Sequence, residues 1–293
     1  MRLRPVSEAD AETAAALVIA GDLADIGEVD YSLEDLRHEW SAIDLATDAV
    51  IVEDDAGTAI GYAHFRGTDV LASVHPEREG EGAGTAIAAW AERRGRELAL
   101  PYLRQGVGDR NPRCRALLEA AGYVRTRSYW RMQREVSADE DPGPAPEGFV
   151  LRPFRDADEA AVHAIRERAF SVLPDYDPQT LEEFTQRQLY AHGFDAALTR
   201  VAERDGAPAG FATALRWAAG VVFIPTLAVH PDAAGRGLGA ALLRGVFAAA
   251  GAAGLRRVEL SVASDNPNAV RLYERVGMSQ RWRIDAYELA LAD

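Results

Sequence analysis

"HPDAAGRGLGAALL", His230 to Leu243, sets three glycines and Arg236 between the apolar run "VVFIPTLAV" and a segment rich in alanine and leucine. Glycine weakens regular structure, so a cluster at a strand-to-helix junction marks a place where something must approach the main chain closely. The first turn of a helix presents unpaired N–H groups and the positive end of its dipole, which together suit a phosphate.

The stretch has a counterpart. "SVHPEREGEGAGTAIAAW" (Ser73 to Trp90) aligns with "AVHPDAAGRGLGAALLRG" (Ala228 to Gly245) at an offset of 155, and "RNPRCRALLEAAGY" from Arg110 aligns with "DNPNAVRLYERVGM" from Asp265 at the same offset. Two separated stretches in one register indicate an internal duplication. Each half also opens alike, "LRPVSEADAE" from Leu3 and "LRPFRDADEA" from Leu151. Between them "SADEDPGPAPEG", Ser137 to Gly148, is rich in prolines and acids that resist helix and strand, and reads as a linker. The expected domains are residues 1–136 and 149–293, joined by 137–148.

In the second half "DADEAAVHAIRERAF" has helical periodicity, and two strands flank a turn at Asp205 and Gly206. "VVFIPTLAV" reads as one buried strand, followed by the glycine loop and a helix to about Ala253. "LRRVELSVA" is a strand, "PNAVRLYERV" a helix stopped by Gly277, and "RWRIDAYELAL" a last strand. The predicted class is α/β, a mixed central sheet flanked by helices in each of two repeats, with a ligand at the carboxyl ends of central strands.

Composition sets the limits. A chain of 293 residues with 48% hydrophobic content has room for two cores. Acids outnumber bases 46 to 32, a net charge of -14 that disfavours nucleic acid and anionic lipid. The single cysteine, Cys114, agrees with a reducing compartment, and six scattered histidines offer no metal-ligand spacing. With neither an apolar membrane span nor a basic-then-apolar leader, the expected location is cytoplasmic.

The order of strand, glycine loop, helix, strand and N-x-x-A-x-x-L-Y-x-x-x-G resembles the GCN5-related N-acetyltransferases (GNAT), here as a tandem pair. The resemblance implies acetyl transfer from acetyl-coenzyme A to a primary amine, with catalysis in the second repeat. It implies that Ala234, Gly235, Arg236, Gly237, Leu238, Gly239 and Ala240 form the pyrophosphate loop, where a side chain at Gly237 or Gly239 would intrude on phosphate oxygens. Backbone at Leu227, Ala228 and Val229 pairs with pantetheine amides as an added strand, and Leu227 is the expected N–H donor to the thioester carbonyl. Tyr273 matches the tyrosine that protonates the departing thiolate, and Asn266 the asparagine that contacts the coenzyme. On helical spacing alone Tyr273 is also a core aromatic, sharing a face with Ala269, Leu272 and Val276, while Asn266 before Pro267 is also a helix cap.

The departures are specific. Ala234 stands where the family pattern has glutamine or arginine, and Ser261 where some relatives carry a glutamate base. Glu259, His192, Asp175 and Asp177 are the remaining candidates for the base. In the first repeat the loop reads Glu79, Gly80, Glu81, Gly82, Ala83, Gly84, and Leu118 replaces the tyrosine. Each carboxylate near a phosphate is repulsive by about 1 to 4 kcal/mol, so this repeat is read as degenerate, with Arg78 and Arg110 the side chains that could offset the acids. The acceptor is expected to be a small-molecule amine, with Asp175, Asp177, Glu182 and Glu183 either attracting a cationic substrate or serving as a helix cap and solvated first turn, and the chain a monomer or homodimer. Mycothiol synthase, which shares the tandem architecture, is a narrower alternative; a noncatalytic acyl-coenzyme A sensor is the alternative of another class.

Overall fold

A computed structural model describes residues 1–172, 176, 178–217 and 220–291. The chain forms two compact units, Met1–Tyr129 with Trp282–Asp293, and Trp130–Arg281.

The first unit runs β1 (Arg2–Pro5), α1 (Ala11–Asp25), α2 (Leu33–Trp40), α3 (Leu45–Asp48), β2 (Ala49–Glu53), β3 (Ala59–Arg66), β4 (Asp69–Val74), α4 (Ala83–Glu97), β5 (Tyr102–Gly108), α5 (Pro112–Ala120) and the start of β6 (Val124–Glu135). Its sheet is ordered β1-β2-β3-β4-β5 and is completed by β14 (Ser279–Ala290), the last strand of the chain, whose Ile284–Ala290 pairs antiparallel with Gly108–Tyr102. Val50, Val52, Phe65, Ile87, Trp90 and Leu103 form a core against one set of helices, which Tyr287 and Leu291 from the chain end join. Burial of each such large side chain is worth about 1.5 to 3 kcal/mol.

The second unit contains the rest of β6, then β7 (Val150–Pro153), α6 (Glu159–Phe170), α7 (Leu181–Phe184), β8 (Arg200–Arg204), β9 (Ala207–Ala212), β10 (Leu215–Arg216), β11 (Val221–Phe223), β12 (Leu227–Val229), α8 (Leu238–Ala252), β13 (Arg257–Ala263) and α9 (Pro267–Arg275). One sheet is β12-β9-β8-β7; the other runs from the second half of β6 through β13 and β11 to β10. The turn at Asp205 and Gly206 has φ of 53° and 81°, the two left-handed positions of a type I′ hairpin between β8 and β9. α8 buries Leu242, Leu243, Val246 and Phe247 completely between these sheets' residues and α9.

Two features differ from the sequence reading. "VVFIPTLAV" is two strands, β11 and β12, broken at Ile224–Thr226, because Pro225 has no N–H to give to a ladder. The compact units also do not divide where the repeat does, since the cuts fall inside β6 and β14. Residues 137–148 carry no helix or strand, yet Arg244 Nε of α8 donates to the Pro142 carbonyl at 3.1 Å, so the segment is tied to the second unit.

Candidate active site

In the second unit the wedge begins where β11 ends. β11 pairs parallel with β13 as far as Phe223 and Glu259, and Ile224 N–H still reaches the Glu259 carbonyl at 2.8 Å. Beyond the break, β12 pairs instead with β9. Thr213 N–H donates to the Thr226 carbonyl at 2.9 Å and His230 N–H to the Ala209 carbonyl at 2.8 Å, so Thr226, Ala228 and His230 spend their backbone groups on β9. Alternate residues of an antiparallel ladder turn the other way. Leu227 and Val229 therefore face the side that β13 has left, whereas Ala228 does not.

Paired threonines hold the break in place. Thr226 N–H donates to Thr213 Oγ1 at 3.2 Å, Thr213 Oγ1 donates to the Thr226 carbonyl at 3.3 Å, and Thr226 Oγ1 donates to Gln188 Oε1 at 3.0 Å. Both threonines are buried, and Gln188 lies in a single π-helical turn, Thr185–Leu189. Sequence reading missed all three; the available signal was Pro225 interrupting a β-branched run.

The glycine loop opens this wedge at the start of α8. Gly235 and Gly237 have φ of 73° and 81°, a conformation that strains other residues. Leu238, Gly239 and Ala240 precede the first intrahelical bond, Ala241 N–H to the Gly237 carbonyl at 3.1 Å, so their N–H groups have no helical partner. The side chain of Leu238 is buried in the core, which leaves that residue only its N–H to offer. A Cβ at Gly239 would meet Leu272 Cδ2 of α9 at 3.0 Å, so this glycine also lets two helices approach. Ala234 and Arg236 are exposed, and Arg236 has no ion-pair partner among the described residues.

α9 supplies the remaining residues. Asn266 caps it, its Oδ1 accepting from Ala269 N–H at 3.1 Å. Tyr273 is 9% exposed within the core that includes Val276, and its hydroxyl has no protein partner among the described residues. Burial pushes this phenol up to about 12, so it keeps its proton throughout the neutral and mildly alkaline range. Core aromatic and proton-bearing group are thus both true of its position.

The base candidates fare unevenly. Glu259 is buried and ion-paired with Arg131, Arg257 and Arg281, which close it off from an acceptor; this speaks against its candidacy. Ser261 is exposed on β13, and His192 is exposed in a turn. Glu183 accepts from Thr180 N–H at 2.8 Å as a helix cap, and Glu182 is exposed beside it. Asp175 and Asp177 lie outside the described residues. No group of three or more His, Cys, Asp or Glu that could hold a metal occurs among the described residues.

The first unit repeats the geometry with other chemistry. β4 meets β5 only at Asp69 and Arg104, while Tyr62↔Ser73 pairing and His75 N–H to the Ile60 carbonyl leave Ala72 and Val74 facing the gap. Gly80 and Gly82 are left-handed like Gly235 and Gly237. Of the two loop acids Arg78 meets Glu81, at 2.8 Å, and it also bonds Asp54 at 3.0 Å; Arg110 lies against Gly27, and it is Arg113 that comes to 3.5 Å from Glu79. Asn111 caps α5 through Cys114 N–H at 2.8 Å, and its Nδ2 donates to Asp25 at 2.9 Å and Glu79 at 3.3 Å. Leu118 is buried where the second unit has Tyr273.

Parted strands, a left-handed glycine loop and a capped helix behind it make one arrangement that recurs in both units of an α/β fold. A sequence model described as the Acetyltransferase (GNAT) family matches residues 160–278. The mycothiol acetyltransferase of Salinispora arenicola is 35% identical over 254 residues, 77% of this chain and 76% of that protein. That of Kineococcus radiotolerans is 36% identical over 246 residues, 78% of each. A GCN5-related N-acetyltransferase from Sphaerobacter thermophilus superposes with a TM-score of 0.86 at 29% identity, covering 100% of this chain and 96% of that one. A tandem GNAT protein from the clavulanic acid biosynthesis pathway, solved without AcCoA, shares the fold with a TM-score of 0.69 at 18% identity, covering 100% and 99%. The chain belongs to the GNAT family and is an N-acetyltransferase. Among its described residues no helix is long and apolar enough to cross a membrane.

Proposed function

We propose that the second unit transfers the acetyl group of acetyl-coenzyme A to the primary amine of a small molecule, and that the first unit takes no part in the chemistry. The observation that carries this reading is Tyr273, a protonated phenol whose hydroxyl has no protein partner among the described residues, on the helix behind a wedge lined by the backbone of Leu227 and Val229. Acetyl-coenzyme A supplies an activated thioester. Gly235 to Ala240 fit its pyrophosphate, because three N–H groups there lack helical partners and no acid stands in the loop. Leu227 and Val229 hold the pantetheine amides, and the Leu227 N–H stabilises charge on the carbonyl oxygen. Tyr273 gives its proton to the leaving sulfur.

Thr213 and Thr226 position this apparatus by fixing the break that turns Leu227 toward the gap. With Glu259 sealed by arginines, the acceptor amine must lose its proton to solvent or to a base other than Glu259 before it attacks. The similarity to mycothiol acetyltransferases over three quarters of their length favours, as a second reading, the amine that those relatives acetylate. Free-thiol release from acetyl-coenzyme A, measured with that amine beside a library of small primary amines, tests both readings. Turnover with it alone selects the second; turnover with none defeats the enzyme reading of this unit.

A further inference from the structure

The gap between β4 and β5 in the first unit encloses a cavity of about 360 Å³. Apolar Val74, Ile87, Ala88, Leu117 and Leu118 line it together with the polar side chains of Asp25, Glu79, Asn111, Arg113 and Cys114. This is the size of a small-ligand site, apolar with a few converging polar groups. The backbone of Ala72 and Val74 faces the gap, as that of Leu227 and Val229 does in the second unit, so an extended chain carrying amides can pair along this strand.

The polar lining departs from a phosphate site. Asn111 Nδ2 touches both Asp25 and Glu79, which places the two carboxylates within reach of one small group. A carboxylate accepts about four hydrogen bonds, so each keeps capacity after the asparagine is served. Arg113 is the one ion-pair partner of Glu79 among the described residues, at 3.5 Å on a side chain 74% exposed, and Arg78 is bonded to Glu81 and Asp54. Burial and the neighbouring Glu79 both push Asp25 up from its ordinary range, a strain that a bound cation relieves.

We propose that this cavity is a binding site for a small linear amine, its ammonium between Asp25 and Glu79 and its amide-bearing chain along Ala72 to Val74, and that it does not take an acyl-coenzyme A. The inference is independent of where catalysis occurs.

Cys114, the only cysteine of the chain, lines the cavity and reports its occupancy in the intact protein. Burial pushes its thiol up to about 12, so modification is slow enough to follow by mass spectrometry. The probes are β-alanine butylamide, its N-acetylated form, which lacks the charge, and coenzyme A; the reagent is methyl methanethiosulfonate. The amine should slow modification saturably by about tenfold, and the acetylated probe should not. Asp25→Asn and Glu79→Gln, both isosteric, should each raise the concentration needed by about tenfold. Protection by coenzyme A, equal protection by the uncharged probe, unchanged protection in both variants, or no protection by the amine would each overturn the proposal. Because Cys114 belongs to the first unit, these outcomes are separate from any failure of acetyl transfer in the second.

Discussion

The two glycine loops of this chain have the same backbone and opposite electrostatics. Gly80 and Gly82 repeat the left-handed turns of Gly235 and Gly237, and Gly84 repeats the helix contact of Gly239, meeting Leu117 where the other meets Leu272. Yet Glu79 and Glu81 occupy one loop where Ala234 and Arg236 occupy the other, and Asn111 is drawn to two carboxylates where Asn266, among the described residues, has only its cap. Glycines here are therefore records of geometry: they persist wherever strand, turn and helix must pack this way. The charged and hydroxylated neighbours carry the chemistry, and they can change without disturbing the turn.

The sharpest way to break the contrast is to make the second loop acidic. Gly237→Glu should abolish coenzyme A binding by calorimetry, because it adds repulsion of about 1 to 4 kcal/mol and strains a left-handed position. Unchanged heats of binding would place the coenzyme elsewhere. Next in size, Tyr273→Phe makes α9 resemble α5 in lacking a proton to give. Turnover should fall by about 10² to 10⁴-fold with little change in coenzyme affinity. Since burial holds Tyr273 neutral up to about 12, wild-type turnover should rise with pH as the amine deprotonates and show no fall from this residue through mildly alkaline pH. A descending limb near the usual phenol range that vanishes in Tyr273→Phe would contradict the buried position.

A smaller effect separates backbone geometry from side chains. Thr213→Val leaves the Thr226 N–H without its acceptor and should lower kcat by about tenfold at nearly constant KM for acetyl-coenzyme A, with Thr213→Ser restoring it. A rise in KM alone would mean that the threonines shape the coenzyme site and not the carbonyl donor. Smallest is the converse change in the first unit, Glu79→Arg with Glu81→Gln, which should give at most weak coenzyme binding because Asp25 still lines the cavity.

The class of fold was legible because it is written twice: the offset of 155 aligns the loop and the capped helix, and both recur as read. The caps of Asn111 and Asn266 are local, formed within four residues, so the sequence sufficed. What escaped was non-local. Glu259 looks available along its strand, but Arg131 and Arg281 reach it from distant segments. Thr213 and Thr226 are thirteen residues apart and meet only across β9 and β12. Asp25 enters the first wedge from α1, eighty-six residues from the asparagine it bonds. No periodicity reports such meetings.

The last strand has a consequence for synthesis. β14 supplies an inner partner to β5 and places Tyr287 and Leu291 in the first unit's core, so that unit holds residues from both ends of the sequence. On the ribosome, where chains emerge from the amino end, the first 129 residues must wait with an open sheet edge at β5 until more than 150 further residues have been made. An exposed edge invites wrong pairing. The interval is a window for chaperones, and a nascent chain stalled before residue 282 should show β5 amides exchanging with solvent that are protected once the strand arrives.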